Sequence, residues 1–152
     1  MKMPNLKNVN LDVANFAMEC VKKVKGTFND KNKKQYKTLV RKMSALIQKN
    51  GFIGTLVFNL SKVKDDYHRE VLKNIVDWNI SNYKINDIKN FKNDYEKLQK
   101  EIDDENDLNR FTKYIEWATS LNQGEYRFVT KEMMNLFGWI KRFADGMIEG
   151  EE

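Results

Sequence analysis

The sequence predicts an all-α protein, a single-domain bundle of six or seven helices over residues 1–152. Apolar residues recur at spacings of three and four along nearly the whole chain, which is the period of an amphipathic helix. The chain has one proline, Pro4, and seven glycines, so few residues interrupt helix formation. A length of 152 residues with 41% hydrophobic residues is sufficient for one domain with a substantial core.

The first two helices are separated by a short turn. An apolar stripe over residues 11–24 outlines the first helix, which ends near Gly26, a residue suited to the end of a helix. Thr27 and Asp30 resemble a capping box with aspartate in place of glutamate, so we expect Thr27 to open the second helix. The apolar stripe of this second helix consists of Tyr36, Leu39, Val40, Met43, Leu46 and Ile47.

The later helices follow from the same spacing. The second helix stops at Asn50-Gly51. Five further stripes, each typical of one helix, cover residues 52–60, 67–78, 88–102, 108–121 and 133–147. Thr130 is the expected N-cap of the last helix. Residues 103–107 read as an acidic loop, and residues 149–152 as a frayed tail.

Charge is unevenly distributed along the chain. The net charge is +5, but residues 22–49 carry ten Lys and Arg against one acid, Asp30. Residues 94–107 carry seven acids against two lysines. Such polarity can steer a polyanion to one face of the protein, and it can also let copies of the protein stack basic surface on acidic surface.

The second helix therefore offers one face to a core and another to a polyanion. Lys33, Lys37 and Arg41 lie four residues apart and form a ridge beside the apolar stripe. Lysines at irregular positions neutralise phosphates without reading base sequence. A charged helix face that is merely solvated is the alternative interpretation of the same pattern.

Two motifs resemble a known family. The sequence LIQKNGFIGTLVF over residues 46–58, preceded by the basic helix, and YRFVTKEMMNLFGWIKRFA over residues 126–144 are similar to the small subunit of the type III-B CRISPR effector, the Cmr complex. The resemblance covers both ends of the chain, whereas residues 65–109 carry no motif of that family.

This resemblance implies a non-enzymatic helical subunit that has no catalytic residues. Its copies would stack into a short filament along the guide–target duplex, and its partners would be other subunits of the Cmr complex, copies of itself, and guide and target RNA through phosphates. With Lys31 and Lys49 of the same basic helix added, the expected RNA-backbone-binding residues are Lys31, Lys33, Lys34, Lys37, Arg41, Lys42, Lys49, Lys141 and Arg142.

Aromatic side chains among these cations invite a second interpretation. Tyr36 and Trp139 could stack on RNA bases, as aromatics do in single-strand binders. Both belong to apolar stripes, so core packing is the favoured interpretation. Base identity would then be left to pairing by the guide.

No residue pattern favours catalysis, a metal or a cofactor. The single histidine, His68, is expected on the surface, and the single cysteine, Cys20, in the core. Four acids of one loop could suggest magnesium: Asp103, Asp104, Glu105 and Asp107. Neighbouring acids of one loop point in different directions, which favours a solvated loop. The sequence contains no P-loop, GxSxG or HExxH motif.

Two other functions compete with RNA binding. A helical protein–protein adaptor would dock the basic face on an acidic partner and have no nucleic-acid role. A basic helix lying on an anionic membrane needs a wide exposed apolar face, which a helical bundle would already have used. The first ten residues have no apolar run typical of a secretory signal, so we expect a cytoplasmic protein without a membrane partner.

Overall fold

The structure, a computed structural model, describes residues 6–82, 85, 88 and 107–150, and the regular elements in these ranges are all helices. In chain order the helices are α1 (Leu6–Thr27), α2 (Asp30–Asn50), α3 (Phe52–Ser61), α4 (Asp66–Ser81), α5 (Asp107–Thr119) and α6 (Gln123–Met147). These described ranges contain no strand, so the predicted all-α fold is confirmed. The helix expected over residues 88–102 lies, except for Ile88, outside the described residues.

The start of α2 differs from the prediction by two residues. Asn29 is the N-cap, and its side-chain oxygen accepts a hydrogen bond from the Asn32 backbone N–H at 2.8 Å. Thr27 instead ends α1, where its hydroxyl donates to the Lys23 carbonyl at 2.7 Å. The prediction of Thr27 as N-cap is wrong because α1 continues past Gly26 and leaves asparagine to satisfy the first free N–H groups of α2.

The start of α6 lies earlier than Thr130. Asn122 is the N-cap and forms a full capping box, in which its side chain accepts from the Glu125 backbone and the Glu125 carboxylate accepts from the Asn122 N–H. Thr130 lies inside the helix, and its hydroxyl donates to the Tyr126 carbonyl at 2.7 Å. The predicted N-cap is therefore wrong, and α6 contains all of the motif over residues 126–144.

Gly51 joins α2 to α3 in a backbone conformation that L side chains rarely adopt, with φ of 79°. Its N–H donates to the Ile47 carbonyl at 2.9 Å and ends α2 at the predicted residue. Directly beyond it, the Ile53 N–H donates to the Tyr126 hydroxyl at 3.0 Å. The first turn of α6 therefore lies against the α2–α3 junction.

The helices α2 and α6 pack antiparallel. At the end opposite Tyr126, the Arg41 Nε lies 2.6 Å from an Asp145 carboxylate oxygen. Beyond that pair, the Lys37 ammonium reaches the carbonyls of Ile148 and Gly150. The most extensive contacts of α6 are with α1 and α2. On another side of α2 pack α3 and α4, and α5 packs on α3 and α4.

The core is one continuous cluster of buried side chains from all six helices. It includes the whole predicted stripe of α2 except Leu46, which is half-buried at the edge. A buried polar chain crosses this core, because the Tyr36 hydroxyl donates to Asn74 Oδ1 at 2.6 Å and the Asn74 amide lies 3.3 Å from Glu70. Lys23 closes the chain at 3.3 Å from Glu70, so α1, α2 and α4 are joined.

Only Asp107 of the predicted acidic loop is described, and it begins α5. Its buried carboxylate lies 3.3 Å from the Lys73 ammonium and 3.8 Å from Arg110. Of the predicted tail, the Gly150 carbonyl accepts a hydrogen bond from Lys37 at 2.9 Å. Within the described ranges, no helix has the length and apolar character to cross a membrane.

Candidate nucleic-acid interface

The outward face of α2 carries most of the cations that the sequence singles out. Its apolar stripe is buried, with Tyr36 and Met43 fully inaccessible, so the opposite face must point away from the core. Lys31, Lys42 and Lys49 are exposed there and have no ion-pair partner among the described residues. A helix of 21 residues spreads these charges over about 30 Å.

Lys37 is the exception among the cations of α2. Its side chain is only 6% exposed, and its ammonium donates to the Ile148 and Gly150 carbonyls, both at 2.9 Å. The last carbonyls of a helix have no partner within the helix and carry partial negative charge, which a cation stabilises. Lys37 therefore holds the end of α6 on α2, and it does not lie on the exposed ridge that the sequence predicts.

Three further predicted residues are partly engaged with the protein. Arg41 forms the 2.6 Å ion pair with Asp145, and each of these side chains is little more than one-third exposed. Lys33 lies 3.7 Å from the exposed carboxylate of Asp30. Lys34 is half-buried, with its stem against Gly150. These three cations still line the surface, but part of their charge is already compensated or covered.

The second row of cations lies on α6. Lys141 and Arg142 are exposed as the sequence predicts, and the Arg142 guanidinium lies 5.0 Å above the Trp139 ring. Arg127 and Lys131 are also exposed and fall on the same outward face of the helix. Sequence reasoning missed these two, although extending the face back from Lys141 at helical spacing would have found them.

The antiparallel packing brings the two rows side by side. Adjacent helix axes lie about 8–10 Å apart, and Lys34 and Arg41 of α2 lie at the seam with α6. Lys31 and Lys42 lie on the flank of α2 that faces α3 and α4. Lys49 lies toward the Arg127 end of α6, and Lys34 toward its C-terminal end, where Asp145 supplies one negative charge. The result is a surface, here called the α2–α6 basic face, on which exposed cations outnumber acids.

The two aromatic candidates, Tyr36 and Trp139, both pack against the protein. Tyr36 is fully buried, and burial raises the pKa of its hydroxyl well above the usual value, so it remains a neutral donor to Asn74. Trp139 is half-buried, packs against the core, and stacks on Phe143 with ring centroids 6.3 Å apart. Both side chains therefore serve packing, which agrees with the interpretation that the sequence favours.

Of the two remaining candidate residues, Cys20 lies in the core as predicted, and His68 does not lie on the surface as predicted. Cys20 is buried, and burial raises the pKa of its thiol far above the usual range, so it is an inert core residue. His68 is only 5% exposed, so the predicted surface position is wrong. Its ring packs against Phe58 and Tyr67, which a charged local sequence did not indicate. Among the described residues, no cluster of His, Cys, Asp or Glu could hold a metal ion.

One comparison with known proteins bears on this surface. The family model described as "CRISPR-associated protein (Cas_Cmr5)" matches residues 9–147 of the chain. The matched range includes all of α2 and α6 and therefore the whole basic face. No curated protein matches the chain.

Proposed function

The chain belongs to the CRISPR-associated Cmr5 family and is a subunit of the type III-B Cmr complex, and from that premise we propose that it is a non-catalytic subunit that binds the RNA backbone. In this role the α2–α6 basic face contacts phosphates of the guide and target RNA. Other subunits carry out any cleavage. Copies of the chain stack into a short filament along the guide–target duplex.

One observation carries the RNA-binding part of this proposal. Lys31, Lys42 and Lys49 on α2 and Lys141 on α6 are exposed cations without a partner among the described residues. Cations that already formed ion pairs would gain little from a phosphate, whereas free ammonium groups release the counterions of the RNA when they bind. Their irregular spacing suits a backbone rather than a particular base sequence.

Neutralising three of these residues tests the proposal in the assembled complex. Replacing Lys31, Lys49 and Lys141 with glutamine should make the dependence of log affinity on log salt less steep by roughly 2, since each phosphate contact contributes about 0.7 for a single strand. Replacing Lys22, Arg69 and Lys113 with glutamine, on α1, α4 and α5, provides a charge-matched control.

An unchanged salt dependence in the first variant would show that the basic face does not contact RNA. If the first variant no longer binds an acidic subunit that the wild-type chain binds, and its RNA affinity is unaltered, the protein–protein adaptor is the correct function.

The stacking part of the proposal rests on charge polarity. Cations of one copy that lie outside the α2–α6 basic face can meet the acidic segment over residues 94–107 of the next, a head-to-tail contact that extends into a filament. Sedimentation of the full chain should then show association at low salt that disappears at high salt. A single monomeric species at both salt concentrations, even in the presence of RNA, would contradict stacking through charge.

A further inference from the structure

A groove of about 390 Å³ lies beside the basic face, between α2 and the corner where α3 passes into α4. Its lining includes Thr38, Lys42 and Leu46 from α2, Phe58 from α3, and Tyr67 and His68 from α4. This size is within the range of small-molecule sites. The groove shares Lys42 with the basic face, so a chain of phosphates on that face would pass its rim.

His68 presents a defined hydrogen-bond acceptor at this groove. The Asn59 amide nitrogen donates to the Thr55 carbonyl at 2.9 Å, so the Asn59 side-chain oxygen is the acceptor that faces His68 Nδ1 at 2.8 Å. His68 Nδ1 therefore carries the proton, and Nε2 is left with a free lone pair. Nε2 has no hydrogen-bond partner among the described residues, and His68 as a whole is 5% exposed.

Aromatic rings and a cation surround that acceptor. The Phe58 ring meets the imidazole edge-on, with centroids 5.5 Å apart, and the Tyr67 ring lies at 4.7 Å. Both rings are half-buried and line the groove. Lys42 is exposed at the rim, and the Lys62 ammonium lies 5.8 Å from the Phe58 centroid.

We propose that this groove binds one unstacked nucleobase of an RNA whose backbone follows the basic face. The base lies against Tyr67 and Phe58, one of its N–H groups donates to His68 Nε2, and its phosphate meets Lys42. All four bases carry an N–H donor and an aromatic face, so the site accepts any of them. This inference rests on the proposed RNA-binding function.

The chemistry of the groove favours a nucleotide over a protein side chain. A carboxylate would satisfy Lys42 but cannot donate to Nε2. An apolar side chain would leave Nε2 buried without a partner, which is unfavourable. A nucleotide brings the aromatic plane, the N–H donor and the anion together in one molecule.

Because His68 is the only histidine, its imidazole signals can be identified directly in an NMR spectrum of the full chain. At pH 8, where the ring is neutral, uridine 5′-monophosphate should shift the Nε2 resonance, since that nitrogen gains a hydrogen bond. Ribose 5-phosphate, which has no base, should leave it in place. An equal shift with ribose 5-phosphate, or no shift with the nucleotide, would overturn the proposal.

Variants locate the binding on the groove. Tyr67→Leu should weaken nucleotide binding by roughly 5- to 150-fold, the usual effect of losing one stacking ring. Lys42→Gln should weaken nucleotide binding more than Lys64→Gln does, since Lys64 is an exposed charge outside the groove. Equal binding by wild type and Tyr67→Leu would refute the stacking role.

The failure of this inference can be distinguished from failure of the proposed function. RNA binding with the expected salt dependence, but with a stationary Nε2 resonance, would reject the groove and leave the basic face intact. A nucleotide-induced shift without any salt-dependent affinity for longer RNA would support the groove and reject RNA binding by the basic face. A shift caused by another Cmr subunit in the absence of RNA would assign the groove to a protein side chain and overturn the proposal.

Discussion

Replacing Lys37 with methionine removes the ammonium that holds the end of α6 on α2, while methionine keeps a similar stem. The Ile148 and Gly150 carbonyls, each 2.9 Å from this ammonium, then lose their donor. A buried carbonyl without a partner costs about 1–3 kcal/mol, and a cation at a helix C-terminus contributes about 0.3–2 kcal/mol. Removing a buried charge also relieves a desolvation penalty, which reduces these losses.

We therefore expect Lys37→Met to lower the free energy of unfolding by about 2 kcal/mol, a net value within those ranges. For a chain of this size, that corresponds to a decrease in Tm of roughly 4–8 °C. Urea and thermal unfolding followed by circular dichroism measure both quantities. RNA affinity of the folded variant should keep its salt dependence, because Lys37 is not on the exposed surface.

Lys42→Met is the matched control on the same helix. Lys42 is exposed, so its replacement should change stability by less than about 0.5 kcal/mol. It should instead reduce the salt dependence of RNA binding by about 0.7. The reasoning would be refuted if Lys37→Met were as stable as the wild type and reduced the salt dependence as Lys42→Met is expected to do.

Three further changes test other parts of the fold by equilibrium unfolding. Gly51→Ala should destabilise by about 1–3 kcal/mol because of its φ of 79°, whereas Gly138→Ala, with nothing within 4 Å of the added carbon, should stabilise by about 0.5–1 kcal/mol. Equal effects would contradict the assigned backbone. Tyr36→Phe should cost about 1–2 kcal/mol, because the Asn74 oxygen loses its buried donor, and a neutral result would contradict that hydrogen bond. Burial lowers the pKa of His68 below 6.5, so the folded protein binds fewer protons than the unfolded chain. The free energy of unfolding should therefore fall as pH drops below about 6.5. This decrease should be smaller in His68→Gln, and an identical pH profile would contradict the burial.

The helices of this bundle could be predicted because their apolar spacing is local information. The stripe of α2 determined which of its faces is buried, and the Asn50-Gly51 break determined where it ends. The helix starts were less well predicted, since several residues near each start can act as caps. At α6 the sequence does contain the capping box of Asn122 and Glu125, but the weaker candidate Thr130 lay nearer the apolar stripe.

The basic face could be predicted only in part, because a helical spacing does not reveal which neighbour covers each flank. Lys37 and Lys42 look alike in the sequence, yet α6 covers one and leaves the other exposed. Arg41 meets Asp145, a residue 104 positions away. His68 was misplaced for the same reason, since its partner Asn59 lies on a different helix.

The most direct test of RNA binding by the basic face is the chemical labelling of lysines in the assembled Cmr complex, with and without bound RNA. Our account predicts that RNA protects Lys31, Lys49 and Lys141 from labelling, while Lys22 on α1 reacts equally in both states. If the lysines of α2 and α6 are protected to the same degree without RNA, the basic face binds a protein subunit, and the central claim is contradicted.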